Sequence, residues 1–217
     1  MIRIEGLTVA FGRTLAVHDM DLTLEPGIHG LFGPNGSGKT TLLRVLSGLL
    51  RPTHGRVLLD GRGVSASDED FRRMVGYAGH DTGLYRHLTV GENLNLFARL
   101  YGVSPRRIDD LLERLDITHR LDVRAADLSA GQKRRAAVAR ALLHEPGLLL
   151  LDEPYANLDD DGAARVSDTV KSWRAGGRCA VIATHGAKRL KPFVDATVVL
   201  RRGELVAHRR TEPVVQT

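Results

Sequence analysis

The chain opens on alternation. Residues 2–10 (IRIEGLTVA) and 21–25 (DLTLE) switch between apolar and polar positions, which predicts two half-exposed strands, and Pro26-Gly27 marks the turn after them. Residues 28–32 (IHGLF) form a short apolar run of strand length, and 41–50 carry helical spacing that halts before Pro52. Further on, 55–60 (GRVLLD) reads as a strand closed by Gly61, 68–73 as a short helix and 74–78 as a strand. From about 85 to 145 the period becomes helical. Thr89-Val-Gly-Glu92 is a capping box that opens a helix over 93–101, with Leu94, Phe97, Leu100 and Tyr101 on one side. Pro105 starts a second helix with the stripe Ile108, Leu111, Leu112 and Leu115. A third, dense in Ala and Arg, runs from near Gly131 to Leu143, where Pro146-Gly147 stops it. Strand texture returns at 148–151, 179–183 and 195–200, with a helix over 162–173 separating the first two. Strands alternating with helices predict an α/β fold with a mostly parallel sheet. An antiparallel β portion lies at its N-terminal side and a helical insert interrupts it. The expected division of the single domain is 1–84 plus 146–209 for the core and β portion, about 85–145 for the helical insert, and a polar, frayed tail at 210–217.

Composition narrows the classes. At 217 residues, 42% hydrophobic and 26% charged, the chain is an ordinary globular domain able to bury a sizeable core. The net charge of +5 comes with only 5% aromatic residues and no basic stripe interleaved with them, so no nucleic acid is expected. The positive surface instead suits a polyphosphate or an anionic membrane face. A single cysteine, Cys179, makes no internal disulfide and sits in an apolar run that buries it. No apolar leader follows Met1 and no run approaches the ~18–20 apolar residues of a membrane span, which predicts a cytoplasmic chain whose membrane spans, if it works at a membrane, belong to another subunit.

The chemistry starts at residues 33–41, GPNGSGKTT, which fit the phosphate-binding pattern G-x-x-x-x-G-K-[ST]. Gly33, Pro34, Asn35, Gly36, Ser37 and Gly38 form the bend whose N–H groups cradle phosphate oxygens. Lys39 brings a positive charge to the β- and γ-phosphates, and Thr40 and Thr41 open the helix, the Thr40 hydroxyl being placed to ligate Mg²⁺. The strand before and the helix after the loop are the context that this chemistry requires. Residues 148–153 (LLLLDE) are the acidic counterpart. Four Leu suit a strand buried on both faces, and a carboxylate just beyond it lies at the sheet's carboxyl edge, where nucleotides bind. Asp152 is the candidate to hold Mg²⁺ and Glu153 the candidate general base for an attacking water. Ser129 of Leu128-Ser129-Ala130-Gly131-Gln132 is placed to cap the next helix, and Gly131 to let an anion approach its backbone.

The order phosphate loop, LSAGQ, LLLLDEP and a lone His in Ala183-Thr184-His185 resembles the ATP-binding subunit of ABC transporters, from Phe11 to about Glu204. That resemblance implies a P-loop NTPase (RecA-like) core that hydrolyses ATP with Mg²⁺ as a dimer. It implies Phe11 stacked on adenine, and Ser129, Gly131, Gln132 and the loop Asn157-Leu158-Asp159 acting on ATP held by the second ATP-binding subunit. It also implies His185 at the γ-phosphate beside Glu153, and separate transmembrane permease subunits that hold the chain on the inner face of the cell membrane. One position departs: the family's Mg²⁺-touching Gln is here His80, in Tyr77-Ala78-Gly79-His80-Asp81, and either His80 or Asp81 is the candidate replacement. The Gly-His pair, with the runs 83–94 and 97–102, further resembles the ATP-binding subunit of haem exporters in cytochrome c maturation; a generic small-molecule, drug or lipid exporter is the alternative. A soluble ABC-type ATPase acting on DNA or the ribosome is disfavoured, because no sustained heptads lie between Thr41 and Leu128 and 217 residues hold one ATP domain. A GTPase or kinase would leave LSAGQ and His185 without a role.

Overall fold

A computed structural model describes residues 1–65 and 67–211, apart from the side chains of Ala187 and Lys188. In chain order the elements are β1 (Ile2–Phe11), β2 (Thr14–Leu24), β3 (Gly27–Phe32), α1 (Lys39–Leu46), β4 (His54–Leu59), β5 (Arg62–Gly63), α2 (Glu69–Met74) and β6 (Val75–Ala78). There follow α3 (Val90–Tyr101), α4 (Arg106–Arg114), α5 (Ala130–Leu142), β7 (Leu148–Asp152), α6 (Asp160–Trp173), β8 (Cys179–Ala183), α7 (Ala187–Leu190), β9 (Ala196–Arg201) and β10 (Glu204–Arg210). They build an antiparallel sheet in the order β2-β1-β4-β5 and a second sheet in the order β10-β9-β3-β8-β7-β6. In the second sheet every pairing is parallel except the β9–β10 hairpin.

The central strands explain the core. In β7, Leu149 and Leu151 point into one apolar cluster with α3, α4, α5 and α6, while Leu148 and Leu150 point into the other with α1 and the antiparallel sheet. In a strand covered on both faces, a two-residue period thus calls for consecutive apolar residues, here four Leu. All four are at most 1% exposed, and each contributes about 2 kcal/mol of burial. β8 repeats the arrangement, with Ala180 and Ile182 on the helical side and Cys179, Val181 and Ala183 on the other. Burial raises the Cys179 thiol to about 12, so it stays protonated and inert.

Several boundaries differ from the sequence expectation. β2 starts at Thr14, well before residue 21, because a tight turn at Gly12 folds it straight back on β1, with Phe11 opposite Thr14. α1 runs from Lys39 to Leu46 and not over 41–50: its cap is the left-handed Gly38, and Gly48, also at positive φ, ends it early. α3 begins at Val90, directly after its Thr89 cap, where 93 was expected. Its buried side is Val90, Leu94 and Ala98, whereas Leu100 is 61% exposed and leaves the predicted stripe. β10 was not foreseen, and Arg210, assigned to the tail, ends it; the rest of the expected tail, from 212 on, lies outside the described residues.

Candidate nucleotide site

The phosphate loop hangs between a buried strand and a helix start. β3 delivers the chain to Gly33, and Gly38, at φ 103, turns it into α1. A Cβ on Gly38 would lie 2.4 Å from the Ala16 carbonyl oxygen, so this position tolerates glycine alone. Lys39 is buried, and its Nζ donates to the carbonyls of Gly33 (2.7 Å) and Pro34 (3.1 Å), which pins the ammonium inside the loop. From behind, the β9–β10 turn braces the loop: the Gly203 N–H donates to the Ser37 carbonyl (3.1 Å), and the Gly203 carbonyl accepts from His18 N–H (2.9 Å).

Beyond the loop opens a cavity of about 370 Å³, whose wall brings together Phe11, Asn35 to Thr41, His80, Asp152 and Glu153. Phe11, at the end of β1, is 52% exposed and so is an aromatic face on this cavity, not a core residue. Asp152 closes β7, is 2% exposed, and accepts the Thr40 hydroxyl at 2.7 Å through Oδ2. Glu153 leaves the strand in the left-handed region (φ 50), held there by its N–H donating to the Ala183 carbonyl at 2.8 Å. That turn sends its carboxylate toward the end of β8. There Oε2 accepts from Thr184 Oγ1 (3.0 Å), and Oε1 accepts from His185 N–H (2.9 Å) and lies 2.9 Å from His185 Nδ1. Since a carboxylate only accepts, this geometry assigns the Nδ1 proton to His185.

The two replacement candidates part company. His80 is in the cavity wall beside Asp152 and Glu153, whereas Asp81 lines a separate groove with Tyr77, Tyr101, Arg140 and His144.

The predicted trans-acting residues lie elsewhere. Ser129, Gly131, Gln132 and Asp159 are not among the residues lining the loop cavity of the same chain. Ser129 and Gln132 form a complete capping box: Ser129 Oγ accepts from Gln132 N–H (3.2 Å) and Gln132 Oε1 from Ser129 N–H (3.0 Å). Asp159 caps α6, its Oδ1 accepting from Gly162 N–H at 2.9 Å. Gly131 has a further reason to be glycine, since a Cβ there would lie 2.6 Å from the Asn157 carbonyl oxygen. The close approach visible in one chain is thus to protein backbone.

Two participants escaped the sequence reading. Thr184 reads as an ordinary strand-end residue until its hydroxyl is seen on Glu153. Arg134 is 6% exposed, and its Nη1 donates to the carbonyls of Gly79 (2.7 Å) and Asp152 (3.3 Å), its Nη2 to that of His80 (3.4 Å). Burial lowers its pKa, and the charges of Asp152 and Glu153 work against that. The sequence signal was the basic run Lys133-Arg134-Arg135, too common to single out its middle residue.

Fold and site together define a nucleoside-triphosphate-binding α/β domain with a phosphate loop facing two carboxylates. The sequence pattern of the ABC transporter family matches residues 17–156, and the chain belongs to that family as an ATP-binding, ATP-hydrolysing domain. It is 38% identical to the daunorubicin resistance ATP-binding protein DrrA3 of Streptomyces coeruleorubidus over 95% of this chain and 67% of that one. It is 31% identical to the ABC transporter ATP-binding protein NatA of Bacillus subtilis, over 93% of this chain and 85% of the relative. Among solved structures, the dimeric bacterial ABC transporter cassette MJ0796 superposes with a TM-score of 0.89 at 26% identity, covering 98% of this chain and 99% of that one. The same cassette is also known as a dimer in a post-hydrolysis state with ADP and Pi, with the same TM-score and identity. ABC ATPase domains of this type act as dimers and pair with membrane permease components, and no helix among the described residues is long and apolar enough to cross a membrane.

Proposed function

We propose that the chain is the ATPase subunit of an exporter, two copies of which close over two ATP molecules and drive separate permease subunits seated at the inner face of the cell membrane. The observation that carries this reading is the half-built site. One chain's cavity holds the phosphate loop, Asp152 and Glu153, while the helix start at Ser129, Gly131 and Gln132 lies outside it. A second copy supplies the missing half, with the positive end of α5 and its N–H groups directed at the γ-phosphate.

In the closed pair, Lys39 and the loop N–H groups stabilise the charge that builds on the β- and γ-phosphates. Glu153 orients the attacking water and accepts its proton, while Thr184 and His185 fix the carboxylate's direction. The Thr40 hydroxyl and the Asp152 carboxylate, 2.7 Å apart, are hard oxygen donors of the kind Mg²⁺ favours and would hold that ion. Bound there, the ion would neutralise phosphate charge. His80 stands where a metal-touching amide is expected, but imidazole suits this ion poorly, so its role is toward phosphate or water. The groove lined by Leu49, Tyr77, Asp81, Tyr101 and His144, into which the 79–83 segment leads and where Leu49 is 63% exposed, supports that face as the seat of the permease.

An exporter of the drug-resistance or Nod-factor type is the reading that the relatives favour. Relatives 31–38% identical are named for daunorubicin resistance and Nod factor export, and haem export, suggested by Gly79-His80, gains no support from them. The test is a Glu153→Gln variant. It should bind ATP with unchanged affinity, form an ATP-dependent dimer in light scattering, and lose hydrolysis. Turnover at the unmutated rate would remove Glu153 as the base, and absence of an ATP-dependent dimer would remove the shared site.

A further inference from the structure

The β6–β7 ladder ends where the site begins. Its last register pair is Ala78 with Leu151, where β6 ends while β7 runs on to Asp152. The carbonyls of Gly79 and Asp152 are thereby left without a ladder partner at the point where His80 and Asp152 enter the cavity wall. Arg134 closes the end of the ladder, reaching the carbonyls of Gly79, His80 and Asp152 with one guanidinium. A neutral amide would satisfy such carbonyls at a lower desolvation cost, so a buried cation here calls for a reason beyond plugging a gap. Two carboxylates of the site, Asp152 and Glu153, supply the opposing field. Arg134 is rigidly mounted on α5, one turn on from the Ser129 cap.

We propose that Arg134 is a positioning residue that couples the two ATP sites of the dimer, tying the helix whose start meets the partner's nucleotide to the His80 and Asp152 side of its own site. This rests on the shared-site reading given above. Engagement of Ser129 and Gly131 across the dimer shifts α5, and Arg134 carries that shift to the spacing between His80 and Asp152. Each site then reports its occupancy to the other through one side chain. Arg140, farther along α5, is the natural control. It is held on the same segment, donating to the Tyr77 carbonyl at 2.8 Å and packing over the Phe97 ring, but contacts neither Asp152 nor His80.

The experiment compares steady-state hydrolysis, thermal unfolding and nucleotide binding of the full chain with those of Arg134→Gln, Arg134→Lys and Arg140→Gln. The unmutated chain should show a Hill coefficient for ATP approaching 2. Arg134→Gln should lower kcat by about 10- to 100-fold and bring the Hill coefficient to about 1, with ATP affinity of the monomer changed by less than about 3-fold. Arg134→Lys should recover part of the rate, since a point charge reaches one carbonyl where the guanidinium fork reaches three. Arg140→Gln should lower the melting temperature and keep the Hill coefficient. A Hill coefficient unchanged in Arg134→Gln, or lowered equally in Arg140→Gln, overturns the proposal. If Arg134→Gln does not fold, unchanged cooperativity in Arg134→Lys overturns it equally. Non-cooperative hydrolysis by the unmutated chain has a different signature: it brings down the shared-site reading, and the coupling with it.

Discussion

The two halves of the proposed site are built from opposite materials. Phosphate loop, Asp152 and Glu153 sit on the ends of buried parallel strands, and their side chains are already engaged inside the chain: Lys39 with loop carbonyls, Thr40 with Asp152, Glu153 with Thr184 and His185. The α5 start is the reverse. Ser129 is exposed, and Ser129 and Gln132 turn their side chains on each other in a capping box. What α5 then presents outward is its backbone dipole. The strand-borne half is a preset catalyst; the helix-borne half is an electrostatic surface whose value depends on placement.

That contrast can be broken at graded strengths. The largest effect belongs to the strand side: Glu153→Gln should lower kcat about 10³-fold, the range of a lost general base, in a phosphate-release assay. On the helix side, Gly131→Ala should cost about 10²-fold, because its Cβ meets the Asn157 carbonyl and displaces the α5 start by about an ångström. ATP affinity of the monomer, measured by calorimetry, should not change; a weakened monomer would put Gly131 in the cis site.

A smaller effect concerns the far end of α5. His144 stacks on Tyr101, with ring centroids 4.1 Å apart, and burial lowers its pKa from 6.5 to about 4. A group with a depressed folded pKa binds fewer protons folded than unfolded, so its stability is full above about pH 6.5 and is lost as pH falls toward 4. With allowance for a partly exposed ring this is about 2 kcal/mol. Denaturant titrations of His144→Phe should be flatter over that window by this amount, and an equal slope would show that His144 is not the buried titrant. The smallest effect is at the edge of the cavity: Phe11→Ala should raise KM for ATP about 5- to 10-fold with kcat unchanged, the worth of one base–aromatic stack. A fall in kcat with unchanged KM would make Phe11 a packing residue.

What could be read from the sequence divides along the same line. Motifs whose chemistry resides in consecutive residues, such as GPNGSGKTT and LLLLDE, declared both their secondary structure and their place at the carboxyl edge. Contacts made across the fold did not. Arg134 looks like a surface arginine on a basic helix until the end of the β6–β7 ladder is seen beneath it. Gly131 reads as room for an anion, yet the Asn157 carbonyl already comes close in one chain. β10 stayed hidden because its apolar residues, Leu205, Val206 and Ala207, are consecutive and show no alternation, while its burial alternates only weakly along an exposed edge. Its signal was the Arg202-Gly203 pair, with φ of 52 and 84, a two-residue hairpin turn of left-handed residues.

The hydrogen bond from Gly203 to the Ser37 carbonyl also carries mechanical dependence across the fold. It makes the phosphate loop answerable to the β9–β10 hairpin, and the hairpin in turn to β2 through the His18 N–H. A change that loosens that turn, far from the loop in sequence, reaches the phosphate-binding backbone without touching one of its residues.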